Sequence, residues 1–318
     1  MLKRKILVDT DIGDDIDDLL ALEFLLKREE VEIVGITTTF KNTSLRARQV
    51  KRVLSLLRKS DIPVYAGVGK PLASVYPINE KEVFCQYSKE LDGTEYAPKN
   101  AGEGSEGVSA VDFIVSMAEK YGDNLIVLGI GPLTNIALAF QKDEEVMKKT
   151  NIIIMGGCYF KSFVEWNIEC DYGAAEIVFN HTQNLRAVGI DVTKKTEFPK
   201  EHQSFFFEDK SPYGRYRNEC IHLWQKANPT RQMTLHDPLT AMSAVIPSVV
   251  KFEKRHISLC TQGEFTTGLT ISIEEAKGPL YIESNFRNYP TQEIATSLNK
   301  ELFENTFQET LKKGAQYE

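Results

Sequence analysis

The chain has 318 residues, of which 42% are hydrophobic and 26% charged, a composition that is ordinary for a water-soluble globular protein. Its formal net charge of −7 argues against a nucleic-acid partner, because binding to a phosphate backbone requires clustered Lys and Arg. Length and composition together predict one large folded domain over residues 1–318.

Short apolar runs rich in β-branched residues alternate with helix-forming stretches along the chain. The runs cover residues 6–8, Val31–Thr38, 125–128, Asn151–Met155 and 185–190. This alternation is typical of parallel sheets whose two faces are covered by helices. It predicts an α/β fold, a single domain with a mostly parallel central sheet flanked by helices and an open Rossmann-type core. The C-terminal residues 291–313 are predicted to be helical.

An acidic loop, residues 9–18, follows the first predicted strand. It carries six aspartates: Asp9, Asp11, Asp14, Asp15, Asp17 and Asp18. Like charges at this density repel one another unless a cation or buried donors compensate them, and hard carboxylate oxygens favour Ca²⁺ or Mg²⁺. An EF-hand is excluded, since Gly13 is the fifth loop position and Leu20 occupies the twelfth. A solvated helix start is the alternative, and it explains six carboxylates at a strand end less well.

Two glycine turns, at Gly131 and at Gly156-Gly157, follow later predicted strands. Open α/β sheets place their ligand sites at such carboxyl ends. Residues 196–232 combine many charges with aromatic residues and indicate either irregular helices or a lid. Within this region Tyr213, Tyr216 and Trp224 are candidates for stacking on a ligand or for the core.

Cysteine usage and hydropathy bear on the compartment. Five cysteines are scattered without a Cys-x-x-Cys pair, which is typical of a reducing environment. The N-terminus has no signal-peptide pattern, and no apolar run is long enough to span a bilayer. We therefore expect a cytoplasmic protein with no membrane contact.

The acidic loop resembles the N-terminal signature of the nucleoside hydrolase family, Asp-Thr-Asp-Pro-Gly-x-Asp-Asp-Ala. This chain has Ile12 in place of the Pro and two additional residues, so that Asp17 and Asp18 align with the Asp-Asp pair. Asp14 and Asp15 are the rival pair. Further segments are similar to family motifs and include Asn42, Ile130 to Asn135, Val164-Glu165-Trp166-Asn167 and His236-Asp237-Pro238-Leu239.

The resemblance implies calcium-dependent hydrolysis of the N-glycosidic bond of ribonucleosides, in nucleoside salvage, by a homodimer or homotetramer. The implied Ca²⁺ ligands are Asp11, Asp18, Asp237 and the backbone carbonyl of Ile130. The implied ribose-binding residues are Asp17, Asn42, Glu165, Asn167 and Asp237. Asp11 is the predicted general base that activates water, and His236 is predicted to protonate the departing base.

Two other functions fit part of the pattern. A Mg²⁺-dependent phosphatase of the haloacid dehalogenase type would use Asp9 as its nucleophile, but it leaves the pair Glu165 and Asn167 without a role. A non-catalytic calcium-dependent nucleoside binder would keep the metal and ribose residues. The short segment between Gly157 and Glu165 lacks an Asn that family members use near the ribose, which leaves the choice of base undetermined.

Overall fold

One mixed sheet forms the centre of the computed structural model, which describes residues 3–87, 109–273 and 290–313. In the described part its strands are β1 Arg4–Thr10, β2 Val31–Thr38, β3 Val64–Ala66, β4 Leu125–Gly129, β5 Asn151–Met155, β6 Leu185–Val188, β7 Val250–Leu259, β8 Thr270–Ile273 and β9 Thr291–Leu298. Their order is β3-β2-β1-β4-β5-β6-β9-β7-β8. Pairing is parallel from β3 to β9 and antiparallel on both sides of β7.

Helices fill the connections between the strands. The α-helices are α1 Asp17–Leu26, α2 Thr43–Leu56, α3 Ala110–Tyr121, α4 Thr134–Lys142, α5 Glu144–Met147, α6 Trp166–Cys170, α7 Tyr172–His181, α8 Ile190–Thr193, α9 Pro212–Ala227, α10 His236–Val245 and α11 Lys300–Lys312. Short 3₁₀ helices cover Gly122–Asn124, Lys194–Thr196, Lys200–His202, Ser204–Glu208 and Pro247–Val249. None of the described helices has both the length and the apolarity that crossing a membrane requires.

The sheet separates two apolar layers. Alternation along β1 shows the division, since Ile6 and Val8 pack into one layer and Leu7 into the other. The first layer contains side chains from α1, α2, α9, α10 and α11, and the second contains side chains from α3, α4 and α7. This three-layer arrangement confirms the predicted α/β fold with helices on both faces of a mostly parallel sheet.

Residues 291–313 differ from the prediction, because their first part is strand β9 and only Lys300–Lys312 is helical. Glu, Gln and Ala in this segment favour a helix locally, but Ile294 pairs with Ala187 of β6 and with Glu253 of β7. Burial between two strands distant in sequence overrides the local preference. The strand predicted at residues 185–190 also ends early, at Val188, where α8 follows.

Residues 196–232 contain 3₁₀ helices followed by α9. Tyr213, Tyr216 and Trp224 are buried in the same apolar layer as Phe206, so these rings are part of the core in this conformation. The segment is thus a packed layer of irregular and regular helices. A lid movement of this layer stays a prediction.

Candidate active site

Two packed helices begin next to each other at the carboxyl edge of the sheet. The first turn of α1 carries Asp17 and Asp18, and the first turn of α10 carries Asp237. One carboxylate oxygen from each of the three lies within 4.8 Å of the others, and all three side chains are buried. The backbone N–H of Asp237 donates to Asp17 Oδ2 at 3.2 Å. Partial positive charge at both helix N-termini favours carboxylates there.

The electrostatics of this cluster favour a bound cation. Burial raises the pKa of Asp17, Asp18 and Asp237 well above the ordinary value of 3.8, and repulsion among the carboxylates raises it further. Burying several like charges is costly unless a counter-charge accompanies them. The donors are all oxygens, which is the ligand set that Ca²⁺ and Mg²⁺ prefer. The residues present therefore fit a divalent cation.

Asp11 lies near the cluster, and the segment of Ile130 and Gly131 lies against Asp9 and Asp11. Asp11 is buried, and its negative charge contributes to the raised pKa of Asp18 and of Asp237. Burial raises the pKa of Asp11 itself to about 6. A Cβ on Gly131 would lie only 2.7 Å from Asp11 Oδ1, so a glycine there lets the chain after β4 approach this carboxylate. The N–H of Ile130 donates to the Asp9 carbonyl at 2.9 Å, and its carbonyl accepts from Asn167 Nδ2 at 3.4 Å.

The rival aspartates of the loop are bonded to arginines. Asp14 Oδ2 accepts from Arg46 Nη2 at 2.9 Å, and Asp15 Oδ2 accepts from Arg231 Nη2 at 2.5 Å. Asp17 and Asp18, by contrast, lie with Asp237. This geometry favours Asp17 and Asp18 as the counterpart of the family's Asp-Asp pair. It also adds Asp17, predicted to bind ribose, to the residues that could hold the cation.

Backbone donors fix the predicted sugar-binding residues after β5. Glu165 caps α6 by accepting hydrogen bonds from the N–H groups of Gly157 at 3.0 Å, Asn167 at 3.0 Å and Ile168 at 3.3 Å. Burial raises the pKa of Glu165 to about 7. Asn167 Nδ2 donates to the Met155 carbonyl at 3.1 Å, which places both side chains at the carboxyl end of β5. The two are rigidly held and buried.

Asn42 and His236 are also held at this edge. Asn42 caps α2, where its Oδ1 accepts from Leu45 N at 3.1 Å. His236 Nδ1 lies 2.7 Å from Thr193 Oγ1. Burial, followed by the positive charges of Arg231 and Lys194, lowers the pKa of His236 to about 4. The imidazole is therefore neutral at pH 7 rather than an imidazolium.

Asp9 is part of the framework, in contrast to its role in the phosphatase alternative. It is buried, and its Oδ1 accepts from Thr37 Oγ1 at 2.6 Å and from Asn135 Nδ2 at 2.8 Å. These bonds join β1 to β2 and α4. A nucleophilic carboxylate needs an oxygen open to substrate, and Asp9 is tied into the sheet instead.

Sequence reasoning missed several groups that hold this site. Thr10 Oγ1 donates to Asp18 Oδ1 at 2.5 Å. The buried Arg46 of α2 donates hydrogen bonds to the acidic loop. Thr193 orients the His236 ring. Thr10 stands inside the recognised motif and could have been found there. Arg46 and Thr193 carry no local signal, because their partners are distant in sequence.

Comparison with known proteins identifies the reaction class. The profile of the inosine-uridine preferring nucleoside hydrolases matches residues 6–305. The chain belongs to this family. As a nucleoside hydrolase it is an enzyme that hydrolyses N-glycosyl compounds, which confirms the resemblance seen in the sequence and removes the phosphatase alternative.

Individual relatives cover nearly the whole nucleoside hydrolase chain. A probable uridine nucleosidase 2 of Arabidopsis thaliana is 29% identical over 310 residues, which are 93% of this chain and 94% of the relative. A pyrimidine-specific ribonucleoside hydrolase of Escherichia coli is 29% identical over an alignment of 283 residues, which covers 84% of this chain and 87% of the relative. Among solved structures, a purine-preferring ribonucleoside hydrolase from Gardnerella vaginalis has a TM-score of 0.78 at 26% identity, covering 99% of this chain and 100% of that one. A plant nucleoside hydrolase shares the fold, with a TM-score of 0.81 at 24% identity and coverage of 98% and 99%.

Proposed function

We propose that this chain is a calcium-dependent ribonucleoside hydrolase that releases a free base and ribose, in nucleoside salvage. The observation that supports the proposal is that the buried carboxylates of Asp17, Asp18 and Asp237 lie close together at two helix N-termini. Three carboxylates in a dry site are stable together when a divalent cation offsets their charge. A homodimer or homotetramer and a cytoplasmic location stay predictions.

Calcium is the proposed ion because its coordination is flexible and carboxylate oxygens are ligands that it prefers. Asp17, Asp18 and Asp237 would hold it, and Asp11 and the Ile130 carbonyl are proposed as further ligands. Ca²⁺ accepts roughly 6 to 8 oxygens in flexible geometry, whereas Mg²⁺ requires a near-ideal octahedron. Once bound, a divalent cation supplies Lewis-acid polarisation of the substrate oxygens and of water.

The side chains of the protein divide the remaining work. Asp11, a buried carboxylate beside the cluster, is the proposed general base that takes the proton of the attacking water. The sugar develops oxocarbenium character as the N-glycosidic bond breaks, so nearby carboxylates stabilise it electrostatically. Glu165, Asn167 and Asn42 are proposed to bind ribose hydroxyls, and their fixed positions reduce the entropy lost on binding.

Departure of the base is assigned to His236. Its Nδ1 faces Thr193 Oγ1 at 2.7 Å, which leaves Nε2 as the nitrogen for the substrate. A neutral imidazole that accepts the Thr193 hydroxyl hydrogen carries its own proton on Nε2. We propose that this N–H donates to the base and stabilises the negative charge that develops as the base leaves.

Uridine is the proposed first substrate, because two relatives at 29% identity are a probable uridine nucleosidase and a pyrimidine-specific hydrolase. The purine-preferring structural relative at 26% identity makes inosine the natural comparison. The test incubates purified protein with uridine, cytidine, inosine and adenosine, and follows free ribose by a reducing-sugar assay and free base by chromatography. Equimolar ribose and base supports the proposal. Absence of both products with every nucleoside, in excess calcium, would favour the non-catalytic binder.

A further inference from the structure

A buried arginine lies behind the acidic loop. Arg46 of α2 is fully buried and donates to the backbone carbonyls of Asp11 and Ile12, the second at 2.8 Å. Its Nη2 donates to Asp14 Oδ2 at 2.9 Å, and its Nε donates to the Phe40 carbonyl at 2.9 Å. One planar guanidinium thus contacts four acceptors, an arrangement that the compact ammonium of a lysine cannot reproduce.

The remaining carbonyls of the loop are bonded by the segment 84–86. The Gln86 N–H donates to the Gly13 carbonyl at 3.2 Å, and Cys85 Sγ donates to the Asp14 carbonyl at 3.0 Å. Gln86 Nε2 donates to the Asp15 carbonyl. Together with Arg46, these donors bond five consecutive carbonyls between β1 and α1. The backbone path of the loop is therefore fixed from outside the carboxylate cluster.

The surroundings of Arg46 show that its position is determined by several constraints. Phe40 and Lys41 both have left-handed backbone angles, φ 66° and 56°, which bulky residues rarely adopt. Their N–H groups donate to the carbonyls of Val68 at 3.1 Å and Gly69 at 2.8 Å, which holds this turn. In this turn the Phe40 carbonyl faces Arg46 and accepts its Nε hydrogen bond. The unfavourable backbone angles are therefore kept at a position that contacts the arginine.

Phe84 closes the other side of the arginine. The guanidinium carbon lies 5.0 Å from the centre of the Phe84 ring, within cation–π range. The same ring lies against Gly13, which has φ +126°, and a Cβ at this glycine would come within 2.4 Å of the ring. The loop, the ring and the arginine are therefore packed as one unit.

We infer that Arg46 is a positioning residue of the cation site, because its forked contacts fix the loop that carries Asp11 and leads into Asp17 and Asp18. By binding Asp14 it also separates an additional loop carboxylate from the cluster. The inference rests on the proposed function, since the cation is part of that proposal. It assigns a role to the chain's additional loop residues, which the family signature lacks.

The positive charge of Arg46 separates the positioning role from a purely electrostatic one, because the two predict opposite changes in calcium affinity. A guanidinium near the cluster repels a divalent cation, so an effect of charge alone predicts tighter calcium binding after Arg46→Met. Positioning predicts the opposite, because a loosened loop must be ordered at the cost of binding energy. Arg46→Lys keeps the charge but loses the several hydrogen bonds of the guanidinium. Asp14→Asn keeps the hydrogen bonds of Arg46 to the loop carbonyls but loses the ion pair.

The test is calorimetric titration of Ca²⁺ into the EDTA-stripped full-length protein. We expect Arg46→Met and Arg46→Lys each to weaken calcium affinity by about 10-fold or more, as loss of supporting contacts around metal sites does. Asp14→Asn is expected to stay within about threefold of the wild type, since an ion pair with a half-exposed carboxylate contributes little. Arg186→Met at the opposite edge of the sheet is the control and leaves the affinity unchanged. Saturating calcium is expected to restore kcat in Arg46→Lys.

The possible outcomes distinguish failure of the positioning role from failure of the proposed calcium dependence. Calcium affinity that is equal or tighter in Arg46→Met and Arg46→Lys overturns the positioning role and leaves the proposed function standing. Absence of calcium binding to the wild type overturns the proposed calcium dependence and this inference with it. If Arg46→Met does not fold, the contrast between Arg46→Lys and Asp14→Asn decides in the same way.

Discussion

At the amino edge of the sheet charged side chains are exposed and paired, whereas at the carboxyl edge they are buried and crowded together. Lys5 pairs with Glu32 at 2.8 Å and Arg186 with Glu293 at 2.6 Å, all with substantial solvent contact. The carboxylates around Asp237 are buried beside one another. Exposed pairs contribute little to stability, but buried like charges cost free energy and mark functional sites.

A groove also lies at the amino edge, away from the carboxylate cluster. A groove of about 1060 Å³ runs along the amino edge and is lined by exposed basic residues such as Lys3, Arg4 and Lys254. The carboxylate cluster lies at the opposite edge, where open α/β folds bind ligands. The candidate active site is therefore marked by buried, crowded carboxylates and not by the volume of this groove.

Neutralising one carboxylate of the cluster is expected to have the largest effect. Asp18→Asn keeps the shape and removes a charge, and we expect kcat/KM to fall by about 10³-fold, since metal-assisted stabilisation of charge amounts to several kcal/mol. Steady-state assays with uridine in saturating calcium measure the loss. Glu293→Gln at the amino edge is the matched control. Equal activity of Asp18→Asn and this control would show that the cluster has no part in catalysis.

His236 is expected to have the next largest effect. His236→Ala removes the proposed donor to the leaving base, and kcat is expected to fall by about 10²-fold with a smaller change in KM. Thr193→Val keeps the imidazole but removes the partner of Nδ1, so its loss should be smaller. Single-turnover assays with uridine and inosine separate chemistry from release. An unchanged kcat in His236→Ala would remove this residue from the mechanism.

The pH dependence of stability tests the crowding without reference to activity. The pKa of Asp9 and of Glu165 is raised to about 7 in the folded chain, from ordinary values of 3.8 and 4.5. Groups with raised pKa values stabilise the fold below their unfolded pKa, and this contribution is lost as the pH rises through the folded pKa. In EDTA we therefore expect the free energy of unfolding to fall by roughly 6 kcal/mol between pH 4.5 and 7.5, about 3 kcal/mol from each group, measured by urea denaturation.

Calcium supplies the contrast for that experiment. The pKa values of Asp17, Asp18 and Asp237 are also raised, so these carboxylates add to the fall in EDTA. With saturating calcium they stay ionised, and the total fall in stability with rising pH should shrink. Binding at about 100 times Kd adds about 2.7 kcal/mol to the free energy of unfolding. A calcium-free protein whose stability rises steadily from pH 4.5 to 7.5 would contradict the account of the carboxyl edge.

The amino edge should show the smallest effect. Arg186→Met breaks the half-exposed pair with Glu293, and we expect the free energy of unfolding to change by less than about 1 kcal/mol. Activity with uridine should be unchanged. A large loss of activity in this variant would mean that the two edges are coupled and that the amino edge also contributes to catalysis.

The strand pattern and the acidic loop were predictable from local sequence. The five apolar runs form strands of one sheet. The sequence pattern predicts Asp18 and Asp237 as cation ligands, and the structure brings their carboxylates together. The antiparallel placement of β9 was not predictable, because it depends on pairing with strands far away in the chain. The role of Arg46 was not predictable for the same reason, since the loop carbonyls that it contacts, those of Asp11 and Ile12, lie more than 30 residues earlier.

The most direct test of the central claim is ribose release from uridine by one stripped protein sample, measured in EDTA, after calcium addition and after renewed chelation, with Asp237→Asn in parallel. The account predicts release only while calcium is present and almost none from Asp237→Asn in any condition. Equal release by the wild type in EDTA and in calcium would contradict it, and so would wild-type activity in Asp237→Asn.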